Sequence, residues 1–396
     1  MKPLVYSVLP RPPHPTRDGL AIRNFHLLRG LARSFRLRCF TLVPPHLAQE
    51  PGEYPEAAAV EAIPQADRRV RAARALAQTA VSRRPYPELL YRSADLARRV
   101  LARSAGESPI WVIAHSYHVG PLALDAHAQA WVDFHNVESE IWARLASTAS
   151  TAGRRLFARW QAPRVRALEV SLLERAAGAS CVSERDAAAF SLLVPGAMPV
   201  IVPNGVDLDR YAFRAEPAAS ERVFFVGDLS WVPNAEGVRW LARQVWPALS
   251  RQRPRAAVEV LGRRAPADLL ALESSRFQFA GEGGDTRPHW REAAVAVVPL
   301  LAAGGTRLKI LEAAASGVPV VSTSVGAEGL DFVPGEEILL RDNPAEFAEA
   351  VAGLLADAGA RRRQAAAARA RVEREYDWNT IGERFAAELG RRTPGR

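Results

Sequence analysis

The chain has 396 residues, of which 48% are hydrophobic and 24% charged, and its formal net charge is +9. This length is too great for one hydrophobic core and predicts two domains, and no apolar run reaches the roughly 18 residues that a membrane span needs. The two cysteines, Cys39 and Cys181, argue against a disulfide framework or a zinc site and fit a reducing compartment.

The positive charge lies almost entirely on arginine, because Lys2 and Lys309 are the only lysines among 52 basic residues. No RNA-binding, zinc-finger or basic-zipper pattern accompanies it, so nucleic acid is not an expected partner. The densest basic cluster predicts weak peripheral contact with an anionic membrane: Arg68, Arg69, Arg71, Arg74, Arg83 and Arg84. The first apolar run is too short for a signal peptide, so we expect a cytoplasmic protein that also visits the cytoplasmic membrane face.

The first 43 residues predict a Rossmann-like opening. Hydrophobic patterning gives a strand, an amphipathic helix and a second strand at 3–9, 20–35 and 37–43. The glycine fingerprint of dinucleotide-binding proteins is missing from the connecting loop, which is rich in proline and ends in Arg17, Asp18 and Gly19. This loop is either a stiff surface loop or a ligand-binding segment.

Two short apolar strands, predicted at 109–115 and 130–134, each end at a histidine. These are His115, in IWVIAHS, and His135, in AWVDFHN. Ligands of open α/β sheets bind at the carboxyl ends of the strands, so both histidines are candidate site residues. Asn136 and Glu138 are the polar neighbours of His135. Each histidine can instead be a structural residue that is satisfied within the core.

The middle of the chain predicts one or two helices over 142–175, interrupted at Pro163, and a strand at 180–183. Asn204-Gly205 marks a tight turn, after which residues 206–220 are the predicted linker. The linker contains a D-x-D string, Asp207 to Asp209, at a distance from any strand end. No cluster has the spacing of metal ligands, so neither a metal nor another cofactor is predicted.

A second Rossmann-like unit is predicted after the linker. Its strands are predicted at 222–227, 257–262, 277–281 and 293–300, and three alanine-rich helical segments follow from Phe347. Gly227, at the end of the first of these strands, allows close approach of another group.

The stretch from 304 to 330 predicts a loop, a helix, a turn and a strand. Gly304 and Gly305 form the loop, Thr306 is the predicted N-cap, and a helix over 307–316 ends at Gly317. Lys309 falls in the first helical turn, where the macrodipole disfavours a cation unless an anion is bound there. Glycine amides, the helix N-terminus and an ammonium together suit a phosphate group. The alternative is a plain surface pair between Lys309 and Glu312.

This stretch, GGTRLKILEAAASGVPVVSTSVGAEGL, resembles the donor-site signature of GT-B glycosyltransferases of family 4. More narrowly, it resembles bacterial sugar transferases of exopolysaccharide and PEP-CTERM-type clusters. Further segments resemble the same family: DFHNVESE at 133–140, VSERDA at 182–187, VIVPNGVD at 200–207, FVGDLSWVPNAEGVRWL at 225–241 and the sequence YDW at 376–378. The resemblance covers nearly the whole chain and is weak from 44 to 108.

The resemblance implies an α/β protein of GT-B fold, with two Rossmann-like domains that face each other across a cleft. An acceptor-side domain is expected over 1–205 and a nucleotide-sugar-binding domain over 221–375, with the helix of 376–396 packing back on the first. The implied activity is a metal-independent, retaining glycosyltransferase. Its donor is a UDP- or GDP-sugar, and its acceptor is a glycan, a lipid-linked glycan or a small molecule in polysaccharide or glycoconjugate biosynthesis.

Residue patterns and resemblance together assign the site. The catalytic candidates are His135 and Lys309. The donor-binding candidates are Gly227, Gly304, Gly305, Thr306, Arg307, Lys309 and Glu312. The candidates for acceptor binding or for lining the cleft are Arg17, Asp18, Gly19, His115, Asn136 and Glu138.

The chain departs from the wider family at one glutamate. Two glutamates separated by seven residues bracket the signature helix in that family, and Glu312 matches the second, which binds the donor's ribose. The first falls at Gly304, so backbone amides around Gly305 are the expected substitute. Two other functions stay open. A nucleotide-sugar 2-epimerase would need cleft carboxylates from both domains, and a non-catalytic nucleotide-sugar sensor would explain the missing glutamate.

Overall fold

The computed structural model describes residues 2–14, 18–47, 53–55, 58–148, 151–282, 284–302 and 306–393. The chain forms two compact units, one of Met1–Pro203 with Asn379–Arg396 and the other of Asn204–Trp378. None of the helices in the described ranges is both long enough and apolar enough to cross a bilayer.

Strands and helices alternate along both units. The strands are β1 (Leu4–Leu9), β2 (Arg36–Val43), β3 (Ala59–Pro64), β4 (Trp111–Ala114), β5 (Gln129–Asp133), β6 (Gly178–Cys181), β7 (Val200–Ile201), β8 (Arg222–Val226), β9 (Ala257–Leu261), β10 (Phe277–Phe279), β11 (Val295–Val298), β12 (Val320–Ser322) and β13 (Leu339–Leu340). The helices are α1 (Gly19–Ser34), α2 (Arg68–Val81), α3 (Tyr86–Tyr91), α4 (Ala94–Glu107), α5 (Gly120–Leu124), α6 (Glu138–Thr148), α7 (Ala152–Arg175), α8 (Glu184–Leu193), α9 (Val232–Trp240), α10 (Trp246–Gln252), α11 (Ala267–Leu270), α12 (Arg287–Glu292), α13 (Leu308–Ala315), α14 (Ser324–Ala327), α15 (Pro344–Ala356), α16 (Ala358–Glu375) and α17 (Trp378–Arg391).

Each unit is built on one parallel sheet. Within the described residues the first sheet has the order β3-β2-β1-β4-β5-β6-β7 and the second the order β10-β9-β8-β11-β12-β13. All pairings between these strands are parallel. The strand order reverses between β1 and β4 and between β8 and β11. Those two switch points are where an open α/β sheet leaves a crevice at its carboxyl edge.

The central strands are mostly buried, as expected of parallel sheets covered by helices on both faces. Every residue of β1, β4 and β11 is buried. Helix α17 closes the first unit, where Phe385 packs on the Trp131 ring at a centroid distance of 5.7 Å. Gly30 of α1 meets Gly382 of α17 so closely that a Cβ on either glycine would collide with the backbone of the other. The prediction of two Rossmann-like, parallel-sheet domains is confirmed.

Two predictions about the connections are wrong. Helix α7 continues through Pro163, because proline removes only one helical hydrogen bond while buried Ala158 and Val165 hold both halves of the helix on the core. The predicted linker, 206–220, is packed into the second unit, since Val206 and Tyr211 belong to its hydrophobic core.

Candidate active site

The switch point of the second sheet brings the end of β8 next to the start of α13. Gly227 follows β8, and a Cβ at this position would lie 2.7 Å from Asn234 Nδ2 and 3.0 Å from Lys309 Nζ. Any larger residue would therefore displace the ends of these two side chains from the strand end. Gly227 serves here by its lack of a side chain, which lets an amide and an ammonium sit directly against the backbone.

Lys309 is held by a neutral group and an aromatic ring. Its Nζ donates to Asn234 Oδ1 at 3.1 Å and lies 4.0 Å from the centre of the Phe225 ring. No carboxylate of the described residues lies within ion-pair distance of this ammonium. Burial, and then the charge of Arg307, lower the pKa of Lys309 to about 7, although Glu312 acts in the opposite direction. An anion that arrived beside Lys309 would favour its charged form.

Arg307 occupies the N-cap position of α13, with no side-chain cap bond. Its side chain is only 6% exposed, and its guanidinium lies 5.7 Å from the centre of the Trp231 ring. The expected N-cap, Thr306, does not cap the helix. Its hydroxyl instead accepts a hydrogen bond of 2.5 Å from Asn204 Nδ2, which ties the segment before α13 to the Asn-Gly turn. The N-terminus of α13 thus carries Arg307 and Lys309 and no side-chain cap.

Glu312 lies one turn further along α13 and points to α12. Its Oε2 accepts from Trp290 Nε1 at 3.2 Å and from Thr286 Oγ1 at 3.3 Å. Burial raises the pKa of Glu312, while these donors and the nearby Tyr211 act to lower it. The carboxylate is therefore oriented before any ligand binds. Glu312 forms no ion pair with the described residues, so its oxygens can accept further hydrogen bonds.

A second charged cluster, which we did not predict from the sequence, lies at the strand ends next to β8. Asp228 pairs with Arg263 at 3.2 Å and also with Arg264. Arg264 has a left-handed backbone, with φ of 56°, and its N–H donates to Glu282 Oε1. These contacts join the loops that follow β8, β9 and β10 at the same edge of the sheet.

The first unit contains a fully buried ion pair at the corresponding edge of its sheet. Asp133 ends β5, and the guanidinium of Arg23 on α1 meets it in a fork with N–O distances of 2.8 and 2.6 Å. Arg23 also donates to the Val202 carbonyl, and Ser180 Oγ donates to Asp133. Burial alone would raise the pKa of Asp133, but Arg23 holds it far below its usual range.

His135 lies directly against this pair. Its Nε2 is 3.3 Å from Asp133 Oδ2, outside hydrogen-bond alignment, and the side chain is 14% exposed. Burial lowers the pKa of His135, while Asp133 opposes that change. The lowered pKa favours the neutral imidazole, which lies beside a carboxylate whose charge is already paired with Arg23.

His115 is fully enclosed, so the expectation that it lines the cleft is wrong. It has 0% exposure, its Nε2 lies 3.1 Å from Ser7 Oγ, and burial lowers its pKa to about 4. The reason is its register: its N–H donates to Val8 O, which continues the β1–β4 ladder past the strand end. A second histidine, His118, packs against Tyr91 and Tyr117 and is half-buried.

The remaining polar candidates of the first unit have structural partners. Asn136 Nδ2 donates to Glu138 Oε1 at 3.1 Å, and burial raises the pKa of Glu138 to about 7. Asp18 caps α1 by accepting from Ala21 N, and it pairs with Arg11 at 2.5 Å. Gly19 is the first residue of α1.

Comparisons with known proteins show what the chain is similar to. Residues 220–357 match the family model described as "Glycosyl transferases group 1". Glycogen synthase of Mycobacterium tuberculosis is 27% identical over 236 residues, which are 54% of this chain and 55% of that protein, so the chain spans about half the length of this relative. Sucrose-phosphate synthase from Thermosynechococcus elongatus superposes with a TM-score of 0.71 at 19% identity, over 99% of this chain and 98% of that one. Anabaena Alr3699/HepE in complex with UDP gives 0.68 at 16%, over 99% and 100%.

The fold is GT-B. In this GT-B chain the donor candidates that the structure describes lie together in the second unit, at the end of β8 and along the first half of α13: Gly227, Thr306, Arg307, Lys309 and Glu312. Gly304, Gly305 and Arg17 lie outside the described residues. The D-x-D string forms a turn in which Asp207 Oδ1 accepts from the backbone of Asp209 and Arg210. In the described part of the chain no group of three His, Cys, Asp or Glu side chains could hold a metal ion.

Proposed function

We propose that the protein is a glycosyltransferase that moves a sugar from a nucleotide-diphospho-sugar to a hydroxyl acceptor. The observation that carries this proposal is Lys309, a partly buried ammonium without a carboxylate partner among the described residues, at the N-terminus of α13 and beside Gly227. A diphosphate is the ligand that such a site attracts. The match of residues 220–357 to group 1 glycosyl transferases and the likeness to a protein solved with UDP support the same donor class.

In the proposed reaction the bond between the sugar's anomeric carbon and the diphosphate breaks. Negative charge that develops on the leaving diphosphate is stabilised by Lys309, Arg307 and the amides at the start of α13. The Glu312 carboxylate accepts hydrogen bonds from the hydroxyls of the donor's ribose. The acceptor hydroxyl attacks from the face that the diphosphate leaves, which gives retention, and its proton passes to the leaving group. The acceptor, a glycan, a lipid-linked glycan or a small molecule, binds to the first unit.

Slow donor hydrolysis tests the proposal and separates an enzyme from a sensor. A thermal-shift screen of UDP- and GDP-sugars identifies the donor, and release of nucleoside diphosphate from it is then measured without acceptor. We expect turnover that survives exhaustive EDTA treatment, because the cations of α13 take the part of a metal. Binding without turnover would favour the sensor. Loss of turnover that magnesium or manganese restores would contradict the metal-independent site.

His135 is the proposed catalytic group of the first unit. His135→Ala should lower turnover more than it lowers nucleotide affinity, because the donor nucleotide is assigned to the second unit. Steady-state kinetics and nucleotide titration of the same preparation measure the two effects. Ser147→Ala, at an exposed position near the end of α6, is the control. Unchanged turnover combined with a lower melting temperature would make His135 a structural residue.

We also propose weak docking of the first unit on an anionic membrane. Most of helix α2 is exposed, with Ala75 and Thr79 buried, and it carries Val70 and Leu76 on its exposed surface among its arginines. Arginines attract anionic headgroups, each by about 1 kcal/mol, and the apolar side chains can enter the interface. Vesicles with anionic lipid should co-sediment the wild type, whereas Arg68→Gln combined with Arg74→Gln should bind less. Equal binding by both proteins would rule out this surface.

A further inference from the structure

Asn234 is a buried amide that the proposed reaction does not use. It lies in the first turn of α9, is 6% exposed, and accepts from Lys309 through Oδ1. Its Nδ2 donates to the Asp228 carbonyl at 3.0 Å. A carbonyl can only accept, so this second bond orients the amide with its oxygen towards Lys309.

We propose that Asn234 is the positioning residue of Lys309, a neutral anchor that holds the ammonium beside Gly227 while leaving its charge available for an arriving diphosphate. The proposal rests on the donor site described above. Lys309 Nζ also lies close to the Gly227 backbone, where a Cβ would be 3.0 Å from it, and 4.0 Å from the centre of the Phe225 ring. The ring face attracts a cation without neutralising it.

Because the Asn234 amide is uncharged, it does not compete with phosphate for Lys309. A carboxylate in place of the amide would form an ion pair with Lys309 and would compete with phosphate for it. Among the described residues, the charged groups that act on Lys309 are Arg307 and Glu312. The carboxylate of Asp228, whose carbonyl accepts from Asn234, is paired with arginines. Because the pKa of Lys309 is about 7, roughly nine-tenths of it is neutral at pH 8, and diphosphate binding should then take up a proton.

The two-lysine composition makes a direct test possible. Protein labelled with ¹³C at lysine Cε has lysine signals from Lys2 and Lys309 alone, and Lys309→Ala assigns them. Without nucleotide, the Lys309 signal of Asn234→Asp should titrate at least about one pH unit higher than in wild type, and that of Asn234→Leu lower. Asn343→Asp is the matched control, because this exposed N-cap of α15 keeps its capping oxygen. Unchanged titration in both Asn234 variants would overturn the proposal.

Calorimetry with UDP and GDP then separates the anchor from the donor site. At pH 8, in buffers of different ionisation enthalpy, wild type should take up close to one proton on binding. Asn234→Asp, whose Lys309 should titrate at least about one pH unit higher, should take up about half a proton or less and bind about tenfold more weakly. If neither nucleotide binds wild type while the titration responds as expected, the donor site fails and the anchor stands. If wild type binds with proton uptake that Lys309→Ala removes, but Asn234→Asp matches wild type, the anchor fails alone.

Discussion

Lys309→Ala should lower kcat/KM by about 30- to 1,000-fold, equivalent to about 2–4 kcal/mol of transition-state stabilisation. This loss is expected because Asn234 and the Phe225 ring orient the Lys309 ammonium before the diphosphate departs. The ammonium therefore needs no reorganisation when negative charge develops on the diphosphate. Steady-state kinetics with the identified donor measure the loss. The melting temperature should not fall, because burial lowers the pKa of Lys309 and so disfavours its charged form in the folded state.

Lys309→Arg is the matched control, because it keeps the positive charge and changes the shape of the charged group. Arginine keeps the positive charge, but its planar fork cannot sit in the space between Gly227 and Phe225 that a compact ammonium occupies. We therefore expect only partial recovery of kcat/KM. Full recovery would mean that any positive charge suffices, and wild-type turnover in correctly folded Lys309→Ala would remove Lys309 from the mechanism.

Asp133→Ala should destabilise the first unit by about 3–5 kcal/mol, the usual loss when one partner of a buried ion pair is removed. The change leaves the Arg23 guanidinium enclosed in the core with carbonyl partners but without its carboxylate. Urea denaturation should show a lower midpoint for the transition of this unit.

The double variant Arg23→Met with Asp133→Leu tests the cause of that loss. Replacing both charges by apolar groups of similar volume removes the stranded charge, so much of the stability should return. If the double variant is no more stable than Asp133→Ala, the loss came from packing or from the carbonyl contacts of Arg23 instead. A loss below about 1 kcal/mol in Asp133→Ala would contradict the assigned ion pair.

The sheets could be predicted because several of their central strands are largely apolar. Runs such as LVYSVL in β1 and VAVV in β11 can only be buried, and helices between them require parallel pairing. Strand β3 was missed, since its sequence AVEAIP is mostly half-exposed and breaks that pattern. Thr306 shows a different limit. Threonine is a common N-cap residue, but capping also depends on the loop dihedrals. Here the Thr306 hydroxyl accepts a hydrogen bond from Asn204, which is remote in sequence.

Site residues such as Lys309 and Glu312 could be predicted because the sequence around them indicates their role. Contacts between residues that are remote in sequence were missed. Asn234 and Lys309 are 75 residues apart, and Arg23 and Asp133 are 110 apart. Arg23 resembled the solvent-facing arginines of other amphipathic helices. One signal was present: an aspartate inside the apolar run AWVDF needs a buried partner of opposite charge.

The most direct measurement is a crystal structure of the protein with the nucleoside diphosphate, UDP or GDP, that raises its melting temperature most. We predict a β-phosphate oxygen within about 3.2 Å of Lys309 Nζ, at the N-terminus of α13, with a ribose hydroxyl on Glu312. A nucleotide bound with its diphosphate elsewhere, while Lys309 still donates to Asn234 alone, would contradict the donor site.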